Sequence, residues 1–394
     1  MRSVRFFTIL LGFVASVASA QAAVDTSAEH GILMDGGTGQ VLWAKDGFTP
    51  MPPASMSKLM TIELLFQRLK DNRVHLADTF PVSESAWKTG GSKMFVSLGS
   101  RVPVEDLIRG IVIQSGNDAC VVVAEALGGT VDGFVGMMNA RARQLGLAQS
   151  HFVNPDGLPD PPGQLMSALD LAKLAQHLMT AYPEYYHYFG ERSFVWNNIT
   201  QQNRDTVLEK LPGADGLKTG HTDAAGYGIT ASARQGNERL ILVLNGLRYR
   251  DLDKATPQKQ DWVAEQRRGD EAARILGLAF REFRHYDLFK ANQIVGQVPV
   301  WQGARDTVAL KLAAPLGVTM QVDSHAAMKA VLTYDGPVMT PITVGQQVAT
   351  LKITAPDFPA MNIPVYAAES VSRAGFFSRI LLGLSAFVSG HHNQ

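Results

Sequence analysis

Ser55-Met56-Ser57-Lys58 begins the clearest helical pattern in this chain and follows the helix-breaking pair Pro52-Pro53. Over residues 55–70, apolar side chains recur at the helical period, at Leu59, Ile62, Leu65 and Leu69. Lys58 comes three residues after Ser55, so the two side chains share one helix face, one turn apart. The start of a helix offers free N–H groups and a positive dipole end, which favour an oxygen that becomes anionic.

A second string, Ser115-Gly116-Asn117, lies between two apolar helical runs, with Gly116 marking a tight turn. A serine hydroxyl is a weak nucleophile until a neighbouring base takes its proton. Lys58 can act as that base only if burial or a second cation lowers its pKa from about 10.4. Ser115 would then pass a proton from Lys58 to a leaving nitrogen, and the Asn117 amide would hold a substrate backbone group.

A third string, Lys218-Thr219-Gly220, lies on a predicted strand and is followed by His221. Lys218 can supply the second cation near Lys58, and with the Thr219 hydroxyl it can bind a carboxylate. Gly220 is expected to leave room for an extended substrate at the strand edge. The backbone N–H of His221 would pair with that of Ser55 as an oxyanion hole, while the His221 ring has no proton-transfer role. Together the three strings predict a serine enzyme that transfers acyl groups.

The two ends of the chain carry targeting signals. Residues 1–22 combine a basic start, a short apolar run and an Ala-x-Ala ending, which is typical of a secretory signal peptide; an uncleaved anchor is the alternative. Residues 372–394 predict an amphipathic helix that lies on a membrane surface, with a helix packed on the protein itself as the alternative. We therefore expect an exported protein, periplasmic and peripheral on the outer face of the inner membrane.

Composition excludes several classes of protein. The 394 residues have equal numbers of basic and acidic side chains, 36 of each, so no nucleic-acid partner is expected. The single cysteine, Cys120, cannot form an internal disulfide and is expected to be buried. The ten histidines show no ligand spacing, so neither a metal nor another cofactor is expected.

The pattern divides the chain into two domains. Residues 25–285 begin with a hairpin at 31–47, continue with helices near 104–113, 119–127, 134–145 and 168–178, and then form strands at 216–222, 227–234 and 239–247 and a helix at 270–283. This order indicates an α/β or α+β layered domain with an antiparallel sheet. Residues 286–368 alternate short Val, Ile, Leu and Thr runs with turns, which predicts a small all-β, sandwich-like domain.

At these strings the chain resembles the low-molecular-mass penicillin-binding proteins, the serine-type D-alanyl-D-alanine carboxypeptidases. The resemblance extends from Ile108-Arg109-Gly110 through Asp118-Ala119-Cys120, over Asp215–Thr222, and into the β-domain and the tail. It implies a penicillin-recognising, β-lactamase-like transpeptidase fold. It also implies that Ser55 attacks the bond between the two terminal D-alanines of a peptidoglycan stem pentapeptide, with Lys58 as base and Ser115 and Lys218 as proton relay.

The resemblance further implies that β-lactams acylate Ser55 and that an arginine binds the terminal carboxylate of the substrate. Arg268 corresponds to that arginine and Arg204 to another one near the site. The segment 250–266 is longer than is usual in the family, so Arg248 and Arg250 remain alternatives for the carboxylate-binding role.

Three other activities remain open at this point. A class A β-lactamase would need a deacylating Glu after the second string, but no Glu occurs between Glu125 and Glu184. A non-hydrolytic β-lactam sensor or wall-binding protein would be acylated without releasing D-alanine. An endopeptidase that cuts cross-links would use the same residues.

Overall fold

The computed structural model describes residues 24–375. The predicted signal peptide, 1–22, and residues 376–394 of the predicted tail lie outside the described residues. The chain forms two compact units. The larger unit comprises Val24–Ala291 and Ala314–Val322, and the smaller unit comprises Asn292–Ala313 together with residues 323–375.

The helices of the described chain agree with the predicted ones in most places. In chain order they are α1 (Lys58–Lys70), α2 (Glu84–Lys88), α3 (Val104–Val112), α4 (Asn117–Gly128), α5 (Val131–Gln144), α6 (Ala168–Ala181), α7 (Val207–Lys210), α8 (Pro257–Glu282) and α9 (Val322–His325). Short 3-10 turns occupy Ala54–Ser57, Tyr186–Gly190 and Arg250–Leu252.

The strands, again in chain order, are β1 (His30–Asp35), β2 (Val41–Lys45), β3 (Thr79–Pro81), β4 (Arg101–Pro103), β5 (Ser193–Trp196), β6 (Ile199–Gln202), β7 (Ala214–Thr222), β8 (Gly226–Gln235), β9 (Glu238–Leu247), β10 (Phe283–Phe289), β11 (Ile294–Trp301), β12 (Thr307–Lys311), β13 (Leu316–Gln321), β14 (Lys329–Thr333), β15 (Val338–Met339), β16 (Gln347–Ala355) and β17 (Phe358–Ala367).

A five-stranded antiparallel sheet in the order β2-β1-β9-β8-β7 organises the larger unit. Successive side chains of a strand point to opposite faces, and both faces of this sheet are covered. Ile32 and Met34 of β1 therefore pack into the core formed with α1 and α3–α6, whereas Leu33 between them packs into the core formed with α8. Burying a side chain of this size stabilises the fold by about 1.5–3 kcal/mol. Strand β7, which carries the third string, is an edge strand.

Helix α8 differs from its predicted extent. It begins at Pro257, with Thr256 as the N-cap residue, rather than near residue 270. The first half of α8 is rich in polar residues, so it shows no apolar stripe from which a helix could be predicted. The earlier start places Arg268 inside the helix, where its side chain is buried.

Strands β10 and β13 pair with each other and belong to the larger unit, although their sequences lie at and beyond the predicted domain boundary at 285/286. Thr319 of β13 is bound to the β1–β2 turn: its carbonyl accepts from Gln40 Nε2 at 2.6 Å, and its hydroxyl donates to Asp35. No pattern in the sequence predicts that the chain returns to the larger unit at residues 314–322, so the predicted boundary misses this return.

The smaller unit is all-β, as expected, apart from part of the short α9. Its strands form a six-stranded sheet in the order β14-β16-β17-β12-β11-β15. The hydrogen bonds connect all six strands, because β12 pairs with β11 and, at Leu310 and Lys311, with β17. The sandwich-like arrangement stays a prediction. Strand β17 was not predicted; its Pro359 and Pro364 interrupt the strand pattern.

Within residues 24–375, no helix taken singly has the length and apolar character needed to cross a bilayer. One pair, α4 and α5, passes that test when the two are taken together, with a bend of 84° between them.

Candidate active site

The three strings meet in one cleft of the larger unit, with a volume of about 670 Å³. Ser55, Ser115, Thr219, Gly220, His221, Arg204 and Arg268 all line this cleft. Lys58, Asn117 and Lys218 are buried beside it. The fold thus brings together residues that are more than 200 positions apart in the sequence, 55 and 268.

Ser55 lies in the 3-10 turn Ala54–Ser57, which precedes α1 and which we call the serine turn. Strand β7 approaches this turn closely at Gly220. A Cβ atom on Gly220 would lie 3.0 Å from the carbonyl oxygen of Pro53 and 3.2 Å from the backbone nitrogen of Met56. The serine turn, and not a substrate strand as expected, occupies the space that a side chain at Gly220 would fill.

Lys58 is fully buried at the start of α1, and its Nζ donates to Ser55 Oγ at 2.7 Å. Nζ also donates to the backbone carbonyl of Asp156. Burial is the main influence on this lysine and lowers its pKa below the ordinary value. The charge of Arg204 acts in the same direction, whereas Cys120 and Asp156 raise the pKa. Lys58 is therefore placed and tuned to accept the hydroxyl proton of Ser55.

A turn at residues 154–158 packs against the serine turn and was not predicted to take part in the site. Thr61 Oγ1 of α1 donates to the carbonyl of Pro155 at 2.6 Å, one residue before the Asp156 carbonyl that binds Lys58. Gly157 adopts a φ of +81°, and a Cβ there would lie 2.1 Å from the Ala54 carbonyl oxygen. The sequence Asn154-Pro155-Asp156-Gly157 is a turn signal, but nothing in it indicates what the turn contacts.

Ser115 lies just before α4 and has a left-handed backbone, with a φ of +64°. The next residues attach α4 to the loop at 90–96. Asn117 Nδ2 donates to the carbonyl of Gly90 at 2.8 Å, and its buried Oδ1 has no hydrogen-bond partner in the described chain. The buried carboxylate of Asp118 accepts from the backbone N–H groups of Met94, Phe95 and Val96 at 2.9–3.1 Å. Asp118 thus fixes the loop above Ser115.

Lys218 is buried on β7, and its Nζ donates to the carbonyl of Thr219 at 2.9 Å. Burial lowers its pKa well below the ordinary value of a lysine, and the charges of Lys58, Arg204 and Arg268 lower it further. The two lysines of the site are therefore both easier to deprotonate than exposed lysines.

Of the four arginines considered from the sequence, Arg204 and Arg268 line the cleft. Arg268 donates to the carbonyl of Gly220 from Nη1 and to the carbonyl of Arg204 from Nη2, each at 3.3 Å, and its buried Nε has no partner in the described chain. Arg248 instead donates to the carbonyls of Asp223 and Ala224. Arg248 and Arg250 line a neighbouring hollow and not this cleft.

Asp205 is a buried carboxylate beside Arg268 that the sequence analysis missed. Burial raises its pKa to about 6, against the opposing influence of a hydrogen bond from the Val207 N–H and of the Arg268 charge. Its Oδ2 has no partner among the described residues. An isolated Asp in a run such as Asn203-Arg204-Asp205-Thr206 gives no signal of burial.

His221 stacks on Tyr227, with ring centroids 3.7 Å apart and an interplanar angle of 5°. Tyr227 in turn donates its hydroxyl to Asp261 of α8 at 3.3 Å. This contact holds the His221 ring against the wall of the cleft. Over residues 24–375, no group of three or more His, Cys, Asp or Glu side chains is placed to hold a metal ion.

Two family matches cover most of the chain. Residues 16–248 match the family described as D-alanyl-D-alanine carboxypeptidase, and residues 283–373 match the domain described as penicillin-binding protein 5, C-terminal domain. The D-alanyl-D-alanine carboxypeptidase DacD of Escherichia coli (strain K12) is 36% identical over 357 residues, which cover 89% of this chain and 88% of DacD. DacC of the same strain is 35% identical over 366 residues, covering 91% of this chain and 88% of DacC.

A solved structure shows the same likeness in three dimensions. Penicillin-binding protein 5 from Haemophilus influenzae is 31% identical and matches with a TM-score of 0.75, covering 89% of this chain and 98% of that chain. The predicted family resemblance and the predicted fold class are both confirmed by these matches.

Proposed function

The chain belongs to the D-alanyl-D-alanine carboxypeptidase family, and on that premise we propose how its residues carry out the reaction. The protein is a serine-type carboxypeptidase, a hydrolase that removes the terminal D-alanine from peptidoglycan stem pentapeptides. Ser55 is the proposed nucleophile and Lys58 the proposed base. The distance of 2.7 Å between Lys58 Nζ and Ser55 Oγ, with the lysine fully buried, is the observation that carries this proposal.

In the first step, Ser55 Oγ attacks the carbonyl carbon of the penultimate D-alanine while Lys58 Nζ takes the hydroxyl proton. A buried lysine with a lowered pKa is available in the neutral form that this step requires. The carbonyl oxygen becomes negative, and we assign its stabilisation to the backbone N–H groups of Ser55 and His221, two residues that line the cleft. Such an oxyanion hole contributes about 3–4 kcal/mol to transition-state stabilisation.

In the second step, the C–N bond breaks and the departing amine needs a proton. Lys58 returns the proton through the Ser115 hydroxyl, with Lys218 beside it, and D-alanine leaves. Water then attacks the carbonyl carbon of the Ser55 ester while Lys58 accepts a proton from the water. The bond to Ser55 Oγ breaks, Lys58 returns the proton to Oγ, and the shortened peptide and neutral Lys58 are left. The left-handed backbone of Ser115, at the start of α4, supports its position at the edge of the cleft.

The substrate is held at its C-terminal end by cations. Arg268, Arg204 and the Thr219 hydroxyl line the part of the cleft that binds the terminal carboxylate, which favours planar guanidinium partners. The amide nitrogen of Asn117, which is buried beside the cleft, is already bonded to Gly90; its partnerless Oδ1 is therefore the atom that we assign to a substrate N–H. β-Lactams also contain an amide, a strained one, close to a carboxylate, as the D-Ala-D-Ala end of the peptide does, and they acylate Ser55.

The test measures free D-alanine released from a peptide that ends in D-Ala-D-Ala. The variants S55A and K58A are expected to lose at least about 10³-fold in kcat, because nucleophile and base act as a unit. Ser57→Ala is the matched control: Ser57 is buried in the same turn and donates only to the Ala54 carbonyl, at 2.9 Å. Covalent labelling by penicillin is expected to disappear in S55A, and labelling that survives there would contradict the nucleophile assignment.

Penicillin turnover and cleavage of cross-linked dimers, measured beside D-alanine release, separate the rival activities. A β-lactamase would turn over penicillin rapidly, and a non-hydrolytic sensor would be labelled without releasing D-alanine. An endopeptidase would cleave cross-linked dimers at rates comparable to pentapeptides. No feature of the described residues favours these alternatives.

The location of the enzyme is part of the proposal. The signal-like residues 1–22 and the amphipathic pattern of 372–394 support an exported protein held peripherally at the outer face of the inner membrane. Deleting residues 372–394 is expected to move the protein from the membrane fraction to the soluble fraction, with D-alanine release nearly unchanged. If the protein without residues 372–394 remains in the membrane fraction, this part of the proposal is wrong.

A further inference from the structure

Phe95, in the loop that Asp118 fixes above Ser115, has a backbone conformation that is unfavourable for its type. Its φ is +68°, in the left-handed region, where a bulky side chain is an outlier. The aromatic ring is 50% exposed, so burial in the core does not offset this cost. Strained residues of this kind concentrate where a side chain has to be held in a particular place.

Three hydrogen bonds hold the backbone of Phe95 in this conformation. Its N–H donates to Asp118 Oδ2 at 2.9 Å, and its carbonyl accepts from Trp196 Nε1 at 3.3 Å and from Asn197 Nδ2 at 2.9 Å. The first bond comes from α4, which begins beside Ser115, and the other two come from the β5–β6 hairpin. The backbone of Phe95 is therefore fixed on one side by α4 and on the other by the β5–β6 hairpin.

The ring lines the catalytic cleft together with Ile199 of β6, which is 42% exposed. Both residues line the same cleft as Arg204 and Arg268. Ser92, three residues before Phe95, accepts a hydrogen bond from Arg204 Nη1 at 2.9 Å, and the Arg204 carbonyl accepts from Arg268. The loop that carries Phe95 is thus hydrogen-bonded through Ser92 to Arg204, and Arg204 is hydrogen-bonded to Arg268.

We propose that Phe95 and Ile199 form an apolar subsite for the side chain of the C-terminal residue of the peptide, the one that is released. This inference rests on the proposed function, in which Arg204 and Arg268 hold the carboxylate of that residue. The side chain and the carboxylate are attached to the same carbon, so a group beside the arginines contacts the side chain. The subsite would favour D-alanine over glycine as the leaving group by packing on its methyl group.

The test measures kcat/KM of the wild type, Phe95→Ala and Phe95→Gly on two peptides that differ only in the last residue. One peptide ends in D-Ala-D-Ala and the other in D-Ala-Gly. Burial of one methyl group corresponds to about a fourfold preference, from about 0.8 kcal/mol. We expect both variants to lose that factor in the ratio of the two kcat/KM values. Val195→Ala is the matched control, because Val195 is 63% exposed on β5 of the same hairpin but does not line the cleft.

Thermal unfolding distinguishes loss of the ring from loss of the fold. Glycine relieves the left-handed strain, so Phe95→Gly is expected to melt at or above the temperature of Phe95→Ala. A ratio that is unchanged in both variants overturns the proposal. A ratio that changes only in the glycine variant also overturns it, because the effect then comes from a loosened backbone. If the wild-type protein releases no D-alanine at all, the proposed function fails instead.

Discussion

The two sides of the cleft differ in how completely their buried charged groups are hydrogen-bonded. On the serine side, Lys58 Nζ has two acceptors, and Thr61 and Ser57 each donate to a nearby carbonyl. On the arginine side, the buried atoms Arg268 Nε and Asp205 Oδ2 of two charged groups have no hydrogen-bond partner within the described chain. Uncharged buried atoms without a partner occur on both sides, Gln201 Oε1 here and Asn117 Oδ1 next to Ser115. A buried polar atom without a partner costs about 1–3 kcal/mol.

This difference indicates that the two sides do different work. The serine side is set up by the fold, so the nucleophile and its base keep their geometry whether or not a substrate is present. The arginine side gains the most when an anionic group enters, because the buried positive charge then acquires a direct partner. Positioning thus belongs to one side and recognition to the other, and each of the following predictions tests one side.

The largest expected effect comes from filling the contact between the 154–158 turn and the serine turn. Gly157→Ala would place a Cβ 2.1 Å from the Ala54 carbonyl oxygen, so the two turns must separate. We expect the free energy of unfolding to fall by more than about 3 kcal/mol, with a matching loss of penicillin acylation. Chemical denaturation and the rate of penicillin labelling measure the two effects.

The matched control for this variant is Gly129→Ala. Gly129 also has a positive φ, +73°, but nothing lies within 4 Å of an added Cβ. In Gly129→Ala the free energy of unfolding should fall only by the cost of a left-handed backbone at alanine, about 1–2 kcal/mol, and the acylation rate should stay the same. Equal losses in the two variants would show that packing of the turn against Ala54 is unimportant.

A smaller effect is expected on the arginine side, where Arg268→Gln removes the charge but keeps hydrogen-bonding capacity. The measurement is kcat/KM for a peptide with a free C-terminal carboxylate relative to the same peptide with a C-terminal amide. We expect this ratio to fall by about 10–100-fold, the value of a charge-assisted hydrogen bond, with little change for the amide. Arg248→Gln is the control, because Arg248 binds loop carbonyls outside the cleft; an equal effect there would refute the assignment of Arg268.

The smallest effect is a shift of the pH profile through Asp156→Asn. The negative charge of Asp156 raises the pKa of Lys58, while burial lowers it; Cys120 and Asp118 of α4 and the charge of Arg204 also act on this lysine. Asn keeps the acceptor for the Leu158 N–H, at 3.0 Å in the wild type, so only the charge changes.

Without the Asp156 charge, the protonated form of Lys58 is less favoured, so its pKa falls further. Acylation requires neutral Lys58, and it is lost as the pH falls through that pKa. The acid limb of the acylation rate should therefore move to lower pH in Asp156→Asn. An acid limb that stays in place, or moves to higher pH, would show that Asp156 does not act on Lys58.

The comparison between the two sides also explains which site residues could be predicted. Ser55 and Lys58 are three residues apart on one turn, and such a local relation follows from the sequence alone. Arg268 was assigned through the family resemblance, by alignment on a helix that was predicted to begin at Asp270, whereas α8 begins at Pro257. The polar first half of α8 follows no apolar period, so neither its length nor the burial of Arg268 could be predicted.

The sequence by itself determined the antiparallel strands at 216–222, 227–234 and 239–247, the helices around Ser55 and Ser115, and the family, because periodicity and short motifs are local properties of the chain. The tertiary structure alone decided that Asp156 accepts from Lys58 across 98 positions, that Gly220 makes room for the serine turn, and that Phe95 is held out into the cleft. These relations depend on contacts between segments far apart in the sequence, and no residue pattern encodes which distant backbone will approach a given side chain.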